Sequence, residues 1–482
     1  MSTRPTHTTS VPLPLVLGLA SALLGCFADP DAGSGGGSDG TTQDTTGTGD
    51  AVDGTSNGPD ADGTATSTTG STADGSESAG SSSEGGTTEP IAPPPDTVGY
   101  ALPVEVVTNG AVVHGEAVVA VGTTETRGQL RDAFVAIVGE PEERGFLIGG
   151  TQNDQFYAVA SDGVTVAATG LSRSFNGPGN ADEAILVLGL TEDAPTFVRL
   201  SVPADEFLQG RALVADGGTG WIVGGQHLQN ARAFFARVSS AGTVSEAVSL
   251  GNPAIVADFD PLRIVPSEGT LVVAFRNGVV AGLGATDLQP QWAARLVRNG
   301  TPALITDIGA REGDIVVTGE AGLLGFVAEL EVSGTDPLLT ASTAYLQSSP
   351  RGVASADLDW VVGVRGTTTF VARHSASGLE GVVLDGFDRS PSAFLPMHLV
   401  ERMGTLVAVP RIVEGFALAA VNDVPVAACA GEEFGTKFIE ATQPSELVLE
   451  ALALDDVDLP LQAQLRTDFD VVPVPLGELG CP

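Results

Sequence analysis

From Gly99 onward, short apolar runs alternate with polar and turn-forming residues. The runs are about four to seven residues long, and Gly, Asn, Asp and Pro separate them. Short apolar runs bounded by such residues are typical of β-strands, and no convincing amphipathic stretch exceeds about ten residues, where a helix would be favoured. The pattern therefore predicts an all-β domain over residues 97–482.

The apolar runs recur as a two-strand signature, in which a run often opened by Gly is followed by Phe-Val-Ala-Arg or a related run. The clearest copies pair runs starting at Gly220, Gly313 and Asp359 with Phe235, Phe326 and Phe370. Weaker copies start at Gly145, Ala184, Gly269 and Gly404. The first strands are 37 to 49 residues apart, and a period near 45 accommodates four short antiparallel strands. Seven copies predict a β-propeller with seven blades.

Two points of this repeat stay open. Gly115–Glu140 could be an eighth copy and add an eighth blade, but we expect it to complete the terminal blade together with the stretch after Glu446. The repeat resembles bacterial propeller repeats of the kelch-like, quinoprotein-like and delta-60 kinds, without the signature of any one family. A β-helix or a pair of β-sandwiches is the alternative, although sandwiches would not require so regular a period. Trp221 and Trp360 fall within first strands and are predicted to be core residues.

The N-terminus carries an apolar stretch, Val11–Leu24, that ends in Leu-Leu-Gly-Cys at Cys26. This run resembles the lipobox of bacterial lipoproteins, which implies a signal peptide over residues 1–25, acylation of Cys26 and attachment to a lipid bilayer in the cell envelope. The stretch is shorter than the roughly 20 residues that span a membrane. Phe27, rather than Asp, follows the cysteine. By the resemblance, this residue implies attachment to the outer membrane, on either its periplasmic or its surface side. An ordinary signal peptide is the alternative.

Residues 26–96 are predicted to be a disordered tether. From Asp29 to Glu89 the chain is almost entirely Gly, Ser, Thr, Asp and Ala, which cannot bury enough apolar surface to offset the entropy of ordering. Asp60, Asp62 and Gly63 form a fragment of a calcium loop, but no distal Glu follows at the required spacing. Calcium is therefore an unsupported cofactor, and no other cofactor is predicted.

The charge balance excludes one class of partner. The chain has 60 acidic and 22 basic residues, a formal charge of −38. Nucleic-acid binding requires a basic face, so no nucleic-acid partner is expected. The acidic excess favours solubility of the domain.

Two cysteines remain once Cys26 is assigned to lipid. Cys429 and Cys481 would lie in an oxidising compartment, where paired cysteines form disulfides. We predict a Cys429–Cys481 disulfide that fixes the C-terminus to the domain; two free thiols are the alternative.

The candidate catalytic and metal-binding residues are few. The histidines at 7, 114, 227, 374 and 398 show no spacing of a local zinc site, and neither a G-x-S-x-G elbow nor a P-loop is present. His227 could face a central channel, although a solvated loop position is the simpler interpretation. The acid groups Asp258/Asp260 and Asp455/Asp456/Asp458 could bind a cation or act as a carboxylate pair, or could be solvated loops. No catalytic, cofactor-binding or metal-ligating residue is therefore predicted.

The sequence favours a membrane-anchored binding module, with the propeller as a docking surface for an envelope protein or a glycan. The alternative is an envelope enzyme, a glycan hydrolase or lyase, with its active site in the propeller funnel. A third hypothesis is a structural component of the envelope. Acids, His and Arg from different blades, converging at one end of the channel, would distinguish the enzyme from the binding module.

Overall fold

The computed structural model describes residues 98–480, apart from 103, 125–130, 140–142, 175–181, 193, 204–206, 218–219, 254, 256–258, 312, 334–335, 355–358, 367, 385–396, 403–404, 410, 413–414, 422–435, 442, 445 and 468. The predicted signal peptide and tether, Cys26, Asp258, Cys429 and Cys481 lie outside these residues. In the described part, no helix is long and apolar enough to cross a membrane.

The described chain is built from β-strands and one short 3-10 helix, Leu228–Asn230. In chain order the strands are β1 (Val98–Ala101), β2 (Val106–His114), β3 (Ala117–Thr124), β4 (Ala133–Val138), β5 (Arg144–Gly149), β6 (Asp154–Ser161), β7 (Val166–Ser172), β8 (Glu183–Leu188), β9 (Thr196–Ser201), β10 (Leu208–Ala215), β11 (Gly220–His227), β12 (Arg232–Ser239), β13 (Val244–Gly251), β14 (Pro261–Ser267), β15 (Thr270–Phe275), β16 (Val279–Gly284), β17 (Pro290–Arg298), β18 (Thr301–Pro302), β19 (Leu304–Arg311), β20 (Asp314–Ala321), β21 (Leu324–Ser333), β22 (Asp336–Leu346), β23 (Ser348–Val353), β24 (Trp360–Arg365), β25 (Thr368–Ser375), β26 (Gly378–Leu384), β27 (His398–Arg402), β28 (Thr405–Val409), β29 (Arg411–Ile412), β30 (Gly415–Val421), β31 (Thr436–Glu440), β32 (Gln443–Pro444), β33 (Leu447–Ala451), β34 (Asp455–Asp458), β35 (Gln462–Arg466), β36 (Asp470–Val474) and β37 (Gly477–Gly480).

Over the described residues these strands form seven antiparallel sheets. Six sheets contain four strands in chain order, namely β2–β5, β6–β9, β10–β13, β14–β17, β19–β22 and β23–β26. In the remaining sheet, β27, β28 and β30 are followed by β1 from the N-terminal end of the described chain. The first strand of each sheet contacts the first strand of the next, and β27 contacts β2. The sheets therefore close into a ring, and the predicted all-β propeller is confirmed.

The phase of the repeat differs from the sequence prediction in two places. The copy predicted to start at Gly145 begins in β5, the last strand of one sheet, whereas its partner run at Phe156 lies in β6, the first strand of the next sheet. Ala184 lies in β8, a third strand. In these two sheets the second strands, which correspond to β11 in the clearest copy, are β3 and β7. Gly115–Glu140 therefore supplies the second and third strands, β3 and β4, of an ordinary sheet. The assignment of this segment to an eighth copy, or to the terminal blade, is therefore wrong.

The C-terminal segment forms a belt around the outside of the ring. Strands β31 to β37 each pair antiparallel with the outermost strand of one sheet, in the reverse of chain order: β26, β22, β17, β13, β9, β5 and β1. The stretch after Glu446 was predicted to complete the terminal blade. Of its strands, only β37 adds to the sheet that contains β27. The others, β33 to β36, each add to a different sheet. The belt ends beside β1, where Gly480 pairs with Gly99.

The core lies between neighbouring sheets. Val119 and Val135 of one sheet share an apolar cluster with Phe156 and Val187 of the next. Trp221 is only 2% exposed, which confirms its prediction as a core residue, whereas Trp360 is half-buried at the edge of its cluster. Since both faces of each inner strand are covered, β3, β7 and β11 are buried along their whole lengths.

Candidate functional site in the central channel

The innermost strands surround a central channel with a cavity of about 470 Å³. Its lining comes from β2, β6, β10, β14, β19 and β27, and therefore from six different sheets. Volumes of a few hundred Å³ are typical of small-molecule sites. The channel is the place where residues that are distant in the sequence meet.

Most of the innermost strands carry a β-bulge at the same place, close to the strand's start. The extra residues are Asn109 in β2, Tyr157 in β6, Arg211 in β10, Leu262 in β14, Thr306 in β19 and Arg351 in β23. A bulge leaves one residue out of the ladder and re-aims its side chain. All of these residues except Arg351 line the cavity, so the bulges repeatedly direct a side chain towards the channel.

Asp260 lies between two arginines near one end of the channel. Its carboxylate is 3.5 Å from Nε of Arg211 and 3.3 Å from Nε of Arg276. The guanidinium of Arg211 also lies over the ring of Tyr157, with Cζ 3.9 Å from the ring centroid, a distance typical of a cation–π contact. The phenol hydroxyl of Tyr157 donates to Gln155 at 2.9 Å. One carboxylate is thus shared by two cations.

Arg263 and Asp307 form a second ion pair in the lining. Nη1 of Arg263 donates to both carboxylate oxygens of Asp307, at 2.9 and 3.1 Å. The backbone N–H of Val353 donates to the same carboxylate at 2.9 Å. The side chain of Asp307 is 8% exposed, so this pair joins β14, β19 and β23 in a largely buried setting.

His398, the first residue of β27, faces the same pair. Burial lowers the pKa of His398 to about 4, against the opposing effect of the Asp307 carboxylate; the Arg263 charge lowers this pKa further. The ring hydrogen-bonds to the backbone of Asn109, and Nε2 is shielded from solvent with no hydrogen-bond partner among the described groups. The imidazole is therefore neutral at pH 7, with one nitrogen unsatisfied.

The rest of the channel is lined by small apolar side chains. Beyond the bulges the lining residues include Ala111, Val112, Val159, Ala160, Leu213, Val214 and Ala215. At the ends of β2 and β6, His114 Nδ1 lies 2.9 Å from the hydroxyl of Ser161. The strongly polar groups thus concentrate near the starts of the innermost strands, and the cavity is amphipathic along its length.

A separate carboxylate pair, Asp132 and Asp154, lies outside the channel lining. Asp154 is 2% exposed; burial raises its pKa to about 6, and the neighbouring charge of Asp132 adds to this effect. Oδ2 of Asp154 accepts hydrogen bonds from the Gly150 N–H and the Ser174 hydroxyl. Burial also raises the pKa of Asp132. In the described part of the chain, no group of three or more His, Cys, Asp or Glu side chains is arranged to hold a metal ion.

The structure separates the residues that sequence analysis had grouped. Asp260 belongs to the channel lining, whereas Asp455, Asp456 and Asp458 are exposed on belt strand β34. His227 does not line the cavity and is not a solvated loop residue, because it is buried at the end of β11, with Nε2 3.3 Å from Nδ2 of Asn230. Lipidation of Cys26 and the Cys429–Cys481 disulfide remain predictions.

Sequence analysis missed most of the channel residues. Arg211, Arg263, Asp307 and His398 belong to no local motif, and each comes from a different sheet. A weak signal existed, because each lies within the first four residues of an innermost strand that is otherwise largely apolar. Acids, His and Arg from different sheets therefore converge at the channel, as the enzyme hypothesis requires, but both carboxylates of the described lining are already paired with guanidinium groups.

Comparisons with known proteins give structural neighbours only. No family model matches the chain, and no curated protein matches it. Three solved structures are similar at 10% identity: the β-propeller domain of Cps50 (Swd1) from Myceliophteria thermophila (TM-score 0.43, covering 67% of this chain and 100% of that one), the WD40 β-propeller domain of Doa1 (0.43, 68% and 98%) and the Dos1 propeller (0.40, 71% and 96%).

Proposed function

We propose that this protein is an extracytoplasmic interaction module that binds its ligand at the polar end of the central channel. The observation that supports this most directly is the pairing of the channel's charged groups. Both carboxylates of the lining, Asp260 and Asp307, are engaged by guanidinium groups, as expected of groups that fix the shape and charge of a binding site. A mostly apolar pocket with a few convergent polar groups is the usual form of a small-molecule site.

A plugged channel tests this proposal. Ala158 lines the cavity directly after the bulge at Tyr157 and also packs against the apolar cluster between two sheets. Ala158→Phe should therefore narrow the channel, whereas Leu323→Phe adds the same ring at a turn residue that is 87% exposed. Wild type and both variants would be screened by thermal shift against peptides, glycan fragments and small metabolites, after circular dichroism has confirmed folding. We expect a ligand that stabilises wild type and Leu323→Phe but not Ala158→Phe. Ligands that stabilise all three proteins equally, or none, would refute the channel as the site.

The proposed location rests on Cys26. Two or three acyl chains hold a soluble domain at a membrane, because each buried CH₂ contributes about 0.8 kcal/mol. The tether over residues 26–96 would then give the propeller an r.m.s. reach of about 45 Å. Cys26→Ala should move the protein from the membrane pellet to the soluble fraction of the envelope, whereas Cys429→Ala should leave it in the pellet. Unchanged pelleting of Cys26→Ala would contradict the lipid anchor.

A second candidate function, an envelope hydrolase or lyase acting on glycans, is favoured by one observation: Asp307, Arg263 and His398 meet in the channel. Such enzymes commonly use a carboxylate or a histidine as general acid or base. The test is release of reducing ends or of unsaturated products from envelope glycans. Loss of product with His398→Ala, but not with His374→Ala outside the channel, would support the enzyme over the binding module.

A further inference from the structure

Arg211 connects the channel to a buried side chain outside it. Its guanidinium lies over the ring of Tyr157 and beside the carboxylate of Asp260, and all three residues line the cavity. Nη2 of Arg211 also donates to Oε1 of Gln209 at 2.5 Å. Gln209 is not part of the lining and is 7% exposed. One of the contacts that hold the channel guanidinium therefore comes from the protein interior.

The amide of Gln209 has only one orientation that suits both of its neighbours. Its Nε2 donates to Oδ2 of Asp182 at 2.7 Å. A guanidinium only donates and a carboxylate only accepts, so the amide oxygen must face Arg211 and the amide nitrogen must face Asp182. The other oxygen of Asp182 lies 2.5 Å from Nε of Arg173. A continuous chain of polar contacts thus runs from the channel to an ion pair outside its lining.

The backbone explains why this chain forms. The ladder between β10 and β11 skips Arg211, so contacts of the side chain, rather than the ladder, set the direction in which Arg211 points. The N–H of Leu208, the first residue of β10, donates to the carbonyl of Asp182 at 3.0 Å. This bond fixes Asp182, which directly precedes β8, beside the start of the neighbouring sheet and within reach of Gln209.

We infer that Gln209 and Asp182 are positioning residues of the channel: they hold the guanidinium of Arg211 over Tyr157, although neither lines the cavity. A side chain that is fixed before binding loses less conformational entropy when a ligand arrives. The consequence for ligands rests on the proposed function. The placement of Arg211 does not, because it can be measured without any ligand.

The ring of Tyr157 reports on this placement. The chain has three tyrosines, Tyr100, Tyr157 and Tyr345, so the full-length protein labelled with ¹³C in its tyrosine rings gives few signals, and Tyr157→Phe assigns one set. Gln209→Leu should shift the Tyr157 signals and leave the other two sets in place. The matched control is Gln226→Leu, since Gln226 lies directly opposite Gln209 on β11 and is 5% exposed. Unchanged Tyr157 signals in Gln209→Leu, or equal shifts in both variants, would overturn the inference.

A second variant tests whether the effect passes through the amide. Asp182 has no contact with the Tyr157 ring among those described, so a shift of the Tyr157 signals in Asp182→Ala would be transmitted by Gln209. Glu183→Ala is the control, because Glu183 is the next residue, is also buried and also pairs with an arginine, Arg199. We expect a shift in Asp182→Ala alone. A wild-type spectrum for a folded Asp182→Ala protein would refute the role of Asp182, and Gln209→Leu decides the inference if Asp182→Ala does not fold.

Failure of the inference differs from failure of the proposed function. A ligand that Ala158→Phe excludes should bind Gln209→Leu about 2- to 10-fold more weakly, because the guanidinium must then be ordered on binding. If the Tyr157 signals move but no ligand responds to Ala158→Phe, the positioning residues stand and the binding function is wrong. If such a ligand is found and the signals do not move, the channel stands as the site and the positioning residues are wrong.

Discussion

Gly319 lies directly opposite Phe326 across β20 and β21, and the Phe ring covers the space that a side chain on Gly319 would need. A Cβ at this position would be 2.7 Å from Cζ of Phe326 and 2.1 Å from the carbonyl oxygen of Leu304 on the innermost strand. Gly122 with Phe134, and Gly363 with Phe370, repeat the arrangement. Each of these glycines pairs with the residue just before a bulge, so the same Gly–Phe contact accompanies the bulge of the innermost strand.

We predict that Gly319→Ala destabilises the protein by about 2–4 kcal/mol, since overpacking against backbone cannot be relieved by a rotamer change. The control is Gly322→Ala in the β20–β21 turn, where Cβ would meet nothing but φ is +73°; left-handed strain alone should cost about 1 kcal/mol. Urea unfolding of the two variants measures the difference. Equal losses would show that the space between Phe326 and Leu304 is not closed as described.

The Gly–Phe contact also explains how much of the fold could be predicted. The signature of an apolar run followed by Phe-Val-Ala-Arg is the second and third strand of a sheet, with Gly near the end of one and Phe near the start of the other. The prediction lost its phase at Gly145 and Ala184 because the fourth strand β5 and the third strand β8 of their sheets are as apolar as the second strands. Strand identity within a sheet depends on pairing partners, which periodicity does not report.

The channel and the belt could not be predicted for different reasons. Arg263, Asp307 and His398 meet only because three sheets converge, and each alone is an ordinary polar residue in a strand. The belt strands are short, and Asp455, Asp456 and Asp458 suggested a solvated loop or cation site. Their exposed carboxylates instead line the outer edge of a sheet, where charge opposes pairing with another chain.

The Arg263–Asp307 pair should contribute to stability as well as to the channel's charge. Asp307→Asn removes a buried charge that three hydrogen bonds satisfy and takes away the charged partner of Arg263, so we expect a loss of about 1–3 kcal/mol. Asp359→Asn, at a pair whose aspartate is 54% exposed, should change stability by less than about 0.5 kcal/mol. Chemical denaturation compares the two. A loss for Asp359→Asn as large as that for Asp307→Asn would contradict the assigned burial.

Asp154 predicts an unusual pH dependence. Burial raises its pKa in the folded state to about 6, above the ordinary value of 3.8, so the folded state holds the proton more tightly between about pH 4 and pH 6. Stability therefore falls as pH rises through this window, by at most about 3 kcal/mol. Asp154→Asn keeps an acceptor for Gly150 and Ser174 and places an N–H towards Asp132. Its stability relative to wild type should increase from pH 4 to pH 7.

The control for this pH series has the opposite sign. Backbone hydrogen bonds from Thr165 and Val164 lower the pKa of the exposed Asp162, so its stabilisation is present above the unfolded pKa and is lost as pH falls. Asp162→Asn should therefore lose stability relative to wild type on going from low pH to pH 7. If the two variants shift in the same direction, the raised pKa of Asp154 is wrong.

Two neighbouring residues of belt strand β36 allow a test of how the belt lies on the ring. In β36, Val471 packs against the cluster between two sheets, whereas Val472 points outward and is 51% exposed. Both residues pair with β5, opposite Ile148 and Leu147. Val471→Asp should cost about 1–3 kcal/mol, because it buries an unpaired charge, and Val472→Asp should stay within about 0.5 kcal/mol.

Because the two residues are adjacent in one strand, β-propensity and added charge are matched between the variants, and only the face differs. Thermal unfolding should then show a lower midpoint for Val471→Asp alone. Equal effects, or a larger effect of Val472→Asp, would mean that β36 pairs in another register or does not lie on β5. Since a slip of one residue exchanges the two faces, this pair of variants tests whether the belt holds the register in which it encircles the ring.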